Sequence, residues 1–290
     1  MRGIGMNGSS LKPPPARRCD SLSQVPRLRS SELLIVAYFV YVSAISPFFM
    51  RDFWRTSTLA IAVTAIAFVV AAIGGHLRDW APLVATLVAF REMNWFARPT
   101  DHHLEAAWVQ WDRWFSQVRF LFESTGTLLP GFLELCYLLV YAVAPVALWA
   151  LLANGRRLQM NRFWLVYLTG TLGAYALFPY FPSHPPRTLY PDADLPMMTD
   201  LRRFNLFILG NYSIHSSVFP SAHVSSVFSA AWGLLATIPQ RRAIGWSMAA
   251  YGVLVALATI YGRYHYAVDV AAGLAMSIPA LWVATHTKAT

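Results

Sequence analysis

Two short clusters in this chain set chemistry-bearing residues among apolar ones. In IYGRYHYAVDV, Ile260 to Val270, His265 and Asp269 stand four residues apart. At the start of a helix that spacing puts both on one face with their side chains in reach. The carboxylate can accept a hydrogen bond from one ring nitrogen, which fixes the tautomer and leaves the other nitrogen free as nucleophile or base. It also stabilises positive charge developing on the ring. Arg263, two residues before the histidine, offers a planar fork of donors suited to phosphate oxygens. In VFPSAHV, Val218 to Val224, Ser221 and His223 fall in the first turn of a predicted helix. The free N–H groups and dipole of such a terminus favour an anion. With a phosphate there, His223 would be placed to protonate a leaving oxygen while His265 attacks phosphorus, giving an acid and a nucleophile from different helices.

The elements that must position these groups are membrane helices. Of the 290 residues, 56% are hydrophobic and only 13% charged, values outside the soluble globular range. Runs long enough to cross a hydrocarbon core of about 30 Å extend over Leu33 to Phe49, Thr56 to Gly74, Leu129 to Leu152, Phe163 to Phe181, Pro220 to Ile238, Ala243 to Tyr261 and Tyr266 to Thr285. An eighth, Trp80 to Ala97, is apolar at first and is then interrupted by Arg91 and Glu92. The expected fold is an all-α polytopic transmembrane bundle of about eight helices, within a range of six to eight, the last five or so forming the catalytic bundle. Residues 1–32, with Arg2, Lys12, Arg17, Arg18, Arg27 and Arg29 around KPPPARR, read as a disordered basic tail. Residues 33–128 read as N-terminal transmembrane helices with an interfacial segment, and residues 129–290 as the catalytic membrane domain.

Charge sets the orientation. With the tail in the cytoplasm and eight crossings, the short Arg-rich connections NGRRLQMNR and PQRR fall on the same side, as the positive-inside rule asks. Both termini are then cytoplasmic, and both histidine clusters lie on the opposite face. Pro220 to Ile238 turns at PQRR into Ala243 to Tyr261, an antiparallel hairpin whose open end brings FPSAHV beside GRYHYAVD. The net charge of +9 reads as orientation and attraction to anionic headgroups rather than nucleic-acid binding. Cys19 and Cys136 form neither a disulfide framework nor a metal site.

Other polar residues carry weaker expectations. His102 and Glu105 in DHHLE have a spacing that could bind a metal on a helix, but a surface stretch is the plainer reading. Glu134 lies one turn inside a span, suited to pairing with an arginine. Asp192, Asp194 and Asp200 fall in a long loop rich in Met, Leu and Phe that covers the site or dips into the interface. His215 takes no role. WVQWDRWF suits an amphipathic segment at the headgroup level.

Taken together, FPSAHV and GRYHYAVD resemble the second and third signatures of the type 2 phosphatidic acid phosphatase superfamily. The two-residue spacing from Arg263 to His265, and the Pro-Pro-Arg of FPSHPPR, are similar to the branch containing inositol phosphorylceramide synthase and its bacterial relatives. The resemblance implies an integral enzyme of a bacterial plasma membrane that needs no metal or cofactor, with a membrane lipid as substrate and no nucleic-acid partner. His265 attacks phosphorus to give a phosphohistidine, Asp269 orients it, His223 protonates the departing alcohol, and Ser221 and Arg263 bind phosphate. The lysine-led first signature has no unmodified copy. Arg187 is its better positional substitute as a phosphate ligand, and Arg91 with Arg98 in REMNWFARP the weaker one. Water as acceptor makes a lipid phosphatase, and a lipid hydroxyl makes a phosphotransferase forming an inositol-phosphate-type lipid. A non-catalytic transporter or scaffold that only binds the headgroup is the alternative of another class.

Overall fold

The computed structural model describes residues 26–100, 102–116, 119–189 and 195–287. Residues 1–25 of the tail, Asp192, Asp194 and the side chain of His102 lie outside the described residues. Regular structure among those described is helical throughout. It comprises α1 (Ser30–Ile45), α2 (Trp54–Ile73), α3 (Gly75–Glu92), α4 (His102–Ser116), α5 (Arg119–Glu123), α6 (Leu128–Leu139), α7 (Val143–Ala153), α8 (Met160–Leu177), α9 (Pro186–Leu189), α10 (Asp200–Tyr212), α11 (Ala222–Thr237), α12 (Arg242–Tyr261) and α13 (Ala267–His286).

Five stretches are long and apolar enough to cross a membrane: Ser30–Phe48, Trp54–Ile73, Leu128–Ala153, Pro239–Tyr261 and Ala267–His286. The third joins α6 to α7 through a 3-10 turn at Val140–Ala142. That turn lies just before Pro145, which has no N–H to offer the Tyr141 carbonyl. Large apolar side chains on these stretches, such as Ile61, Trp149 and Trp282, point outward and are exposed. This is the arrangement of a polytopic bundle whose solvent is lipid.

The expected spans Phe163 to Phe181 and Pro220 to Ile238 form α8 and α11, which the bundle encloses. The sixteen residues of α11 rise about 24 Å, and they are buried almost without a break from Val224 to Leu234. They pack against α7, α8, α12 and α13. Small residues allow the approach, since a Cβ on Gly170 of α8 would lie 2.0 Å from the Ser229 hydroxyl of α11.

Helices α1 and α3 lean on α8, and α2 packs against those two. A charged clasp fastens α1 and α3 at the end remote from His223 and His265. Asp79 accepts from Arg157 at 2.7 Å and from Arg29 at 2.9 Å, Arg78 pairs with Glu32 at 2.5 Å, and the Trp164 indole donates to the Asp79 carbonyl at 2.8 Å. From this clasp α3 runs the length of the bundle to the other end, where Asn94 accepts the His215 N–H at 3.0 Å. The helix begins earlier than the apolar run Trp80 to Ala97. Arg91 and Glu92 fall at its C-terminus, so they end a helix rather than interrupt one.

Candidate active site

The turn after α12 carries the first cluster. Arg263 adopts a φ of 57°, a left-handed conformation uncommon outside glycine. It is held by the segment ahead of α10, where the Arg187 N–H donates to the Arg263 carbonyl at 3.2 Å and the Arg263 guanidinium donates to the Pro186 carbonyl at 3.2 Å. The reversal delivers His265 to the start of α13, with its Nδ1 3.3 Å from Oδ2 of Asp269. That same oxygen accepts the Tyr266 N–H at 2.9 Å, and Asp269 is wholly buried. A buried carboxylate whose Oδ2 is held by the backbone is well placed to fix the ring.

The second cluster is fastened directly to the first. The Ser221 N–H donates to the Asp269 carbonyl at 2.9 Å. The two helix starts approach so closely there that a Cβ on Gly273 would lie 2.4 Å from the Ser221 carbonyl oxygen. The Ser221 hydroxyl, itself buried, caps α11 by accepting the Val224 N–H at 3.4 Å. His223, two residues on, meets His265 edge to face with ring centroids 5.6 Å apart.

Tyrosines and a buried ion pair back these groups. The Tyr137 hydroxyl lies 3.4 Å from Nε2 of His223, and the Tyr137 ring stacks on Tyr264 at 3.9 Å. Tyr264 donates to Glu134 at 2.5 Å. Glu134 also accepts from Arg202 at 2.9 Å and from Asn205 at 2.7 Å, and Arg202 donates in addition to the Gly262 carbonyl at 3.1 Å. Glu134 and Arg202 are each nearly inaccessible, so each would be a costly unpaired charge without the other. Their pairing fixes the turn from beneath.

The electrostatics leave room for an anion. Arg187 sits over the Tyr264 ring, 5.5 Å from its centroid. No carboxylate among the described residues pairs with it, and burial lowers the pKa of its guanidinium. Burial pushes His265 down to about 3, the Arg187 charge adds to the fall, and a hydrogen bond with the Val218 backbone opposes it. The ring is therefore neutral at physiological pH, as a nucleophile must be. A phosphate would bring the missing negative charge.

Of the residues expected in the site, His223, His265, Asp269, Ser221, Arg187 and Arg263 are brought together. Arg91 and Arg98 stand apart: Arg91 donates to the Tyr212 carbonyl at 3.0 Å, and Arg98 lies over Phe49. Both are exposed. Glu105 is turned inward to the His184 N–H. Asp200 makes only an exposed pair with Arg203. The sequence pattern did not single out Tyr137 and Tyr264. The spacing of Glu134 and Tyr137, three apart on one helix face, was the one signal that could have pointed to the former.

A family model described as PAP2 superfamily matches residues 100–283. The matched stretch holds both histidine clusters, Arg187 and the whole of α4. No curated protein and no solved structure matches the chain.

Proposed function

The chain belongs to the PAP2 superfamily, and on that premise we propose that it is a membrane-embedded lipid phosphatase or phosphotransferase working through a phosphohistidine. The ring nitrogen of His265 turned away from Asp269 attacks phosphorus in a lipid-linked phosphoester. As the N–P bond forms, the bond to the departing oxygen breaks, and His223, which takes up a proton under the negative charge of the bound phosphate, gives that proton to the oxygen. Water or a lipid hydroxyl then attacks phosphorus, passes its proton to His223 and releases His265. Asp269 steadies the ring and its developing charge, while Arg187, Arg263 and the start of α11 take the phosphoryl oxygens.

The observation that carries this reading is the pair of imidazoles 5.6 Å apart, one backed by a buried carboxylate, beside an arginine with no acid partner among the described residues. Headgroup binding alone would need the arginine but no nucleophile. The contacts joining Pro186 and Arg187 to Arg263 unite the Pro-Pro-Arg and Arg-x-His segments. The likeness of those two segments to the phosphotransferase branch, rather than the contacts, is what leans toward an inositol-phosphate-type product.

The test is to incubate purified protein with phosphatidic acid, a polyprenyl diphosphate, or phosphatidylinositol plus ceramide, and to identify products by mass. Free phosphate means hydrolysis, and a new phospholipid means transfer. His265→Ala should abolish turnover while leaving folded protein, and the wild type should carry acid-labile phosphate on histidine. Tight headgroup binding with neither turnover nor label would make the protein a scaffold or transporter instead.

A further inference from the structure

Helix α4 lies ahead of the bundle, yet it reaches each of the three segments that carry the candidate chemistry. It does so with Glu105, Trp108 and Asp112, whose spacing places them along one face. Glu105, wholly buried, accepts the His184 N–H at 2.5 Å, three residues before Arg187. Trp108 stacks on Phe219 with centroids 5.3 Å apart and planes 23° from parallel, and Phe219 leads directly into Pro220 and Ser221. The same indole lies 5.5 Å from the Tyr266 ring. Asp112 accepts the Ala267 N–H at 2.8 Å. Gln110 and Trp111, on the other side of the helix, are exposed.

We propose that α4 is a positioning helix for phosphoryl transfer, in which Asp112 holds the His265 turn, Trp108 the entry to His223 and Glu105 the Arg187 segment. The proposal rests on the reading of the site given above. Ala267 opens α13, and its N–H is one of those that an α-helix leaves without an internal acceptor. Asp112 supplies that acceptor from another helix, at the end of α13 where negative charge is favoured. Asp269 takes the preceding N–H, that of Tyr266. Successive N–H groups are thus held by carboxylates from different elements, and the backbone between His265 and Asp269 has no slack. Burial pushes the Asp112 carboxyl up to about 7 against the pull of the Ala267 N–H, with Asp269 adding to the rise and Arg263 opposing it. A carboxyl kept there despite burial is consistent with service to the turn.

The experiment compares kcat and KM of the full chain with those of Asp112→Ala, Asp112→Asn, Trp108→Leu and Gln110→Ala, on whichever phosphoester the wild type turns over. Asp112→Ala should lower kcat about 10- to 100-fold with KM within about threefold, because the substrate-binding arginines remain. Asp112→Asn keeps an oxygen acceptor for Ala267 and should recover kcat to within about threefold of wild type. Gln110→Ala should match wild type. Should Asp112→Ala not yield folded protein, Trp108→Leu, which keeps apolar bulk but loses the stacked ring, carries the same expectation. The inference is overturned if the folded Asp112→Ala and Trp108→Leu variants stay within twofold of wild type. It is also overturned if Asp112→Asn is as slow as Asp112→Ala, since charge rather than the hold on Ala267 would then be responsible. An active His265→Ala enzyme would sink the reading of the site itself, a separate outcome.

Discussion

His265 combines a neutral ring with a carboxylate behind it, and the two properties have different origins. The carboxylate is a matter of spacing, four residues along one helix, and could be read from the sequence. Neutrality comes from burial and from Arg187, which is 78 residues away in the chain, so no local pattern reports it. The consequence is a pH dependence of defined sign. Between the ordinary histidine value near 6.5 and about 3, the unfolded chain binds a proton at His265 that the folded chain does not. Stability must therefore fall as pH falls through that window, by at most about 1.4 kcal/mol per unit for this residue. Replacing His265 with Gln should flatten the acid side of a plot of thermal unfolding midpoint against pH, measured in detergent. Arg187→Ala, which removes a cation that no carboxylate among the described residues pairs with, should lower kcat/KM about 10- to 100-fold, the loss expected for charge-assisted bonds of about 1.5–3 kcal/mol. Steady-state kinetics on the accepted substrate would check it.

Between helices, the close approach of α11 to α13 sets the distance between the two imidazoles. Gly273→Ala would push a methyl group against the Ser221 carbonyl, a backbone atom that cannot swing aside. The helix starts would have to part. We expect a loss of about 1–3 kcal/mol in stability together with a large fall in kcat. Gly210→Ala, where nothing lies within 4 Å of the added carbon, should leave both nearly unchanged. Thermal unfolding and initial rates on the same preparations separate the cases. The hairpin that joins the two histidine clusters was legible in the sequence because a short Arg-rich turn links two apolar runs. The support from Glu134, Arg202 and Tyr264 was not, because it joins α6, α10 and the turn after α12. Only packing brings residues so far apart in the chain together. The ends of α3 were obscured for a related reason: Arg78, Asp79, Arg91 and Glu92 lower its hydropathy, yet the first pair belongs to a charged clasp and the second to the helix terminus.

Across the whole molecule, the two ends of the bundle have different tasks. The clasp around Asp79 fastens α1 and α3 to the start of α8, and it lies at the end opposite His223 and His265. Asp79 is nearly inaccessible, so Asp79→Ala strips the partner from Arg29 and Arg157. It should destabilise the fold by about 1–3 kcal/mol, since charge-assisted bonds are lost but the arginines left behind are partly exposed and keep much of their hydration, while kcat of the surviving folded protein stays near wild type. A lowered unfolding midpoint with unchanged turnover per folded molecule is the expected result. The family match begins at Thr100 and so leaves out α1, α2 and α3, in keeping with a structural rather than chemical part for them. At the other end, the bond from the Ser221 N–H to the Asp269 carbonyl ties the helix starts that carry His223 and His265 into one unit. On the proposed reading, a catalyst built this way does not widen its jaws to admit a bulkier reacting centre. On that reading, any change in the molecules it serves has to arise around that unit, in α4 and α10. In such a chain the choice of acceptor can drift while the bond-breaking step stays fixed.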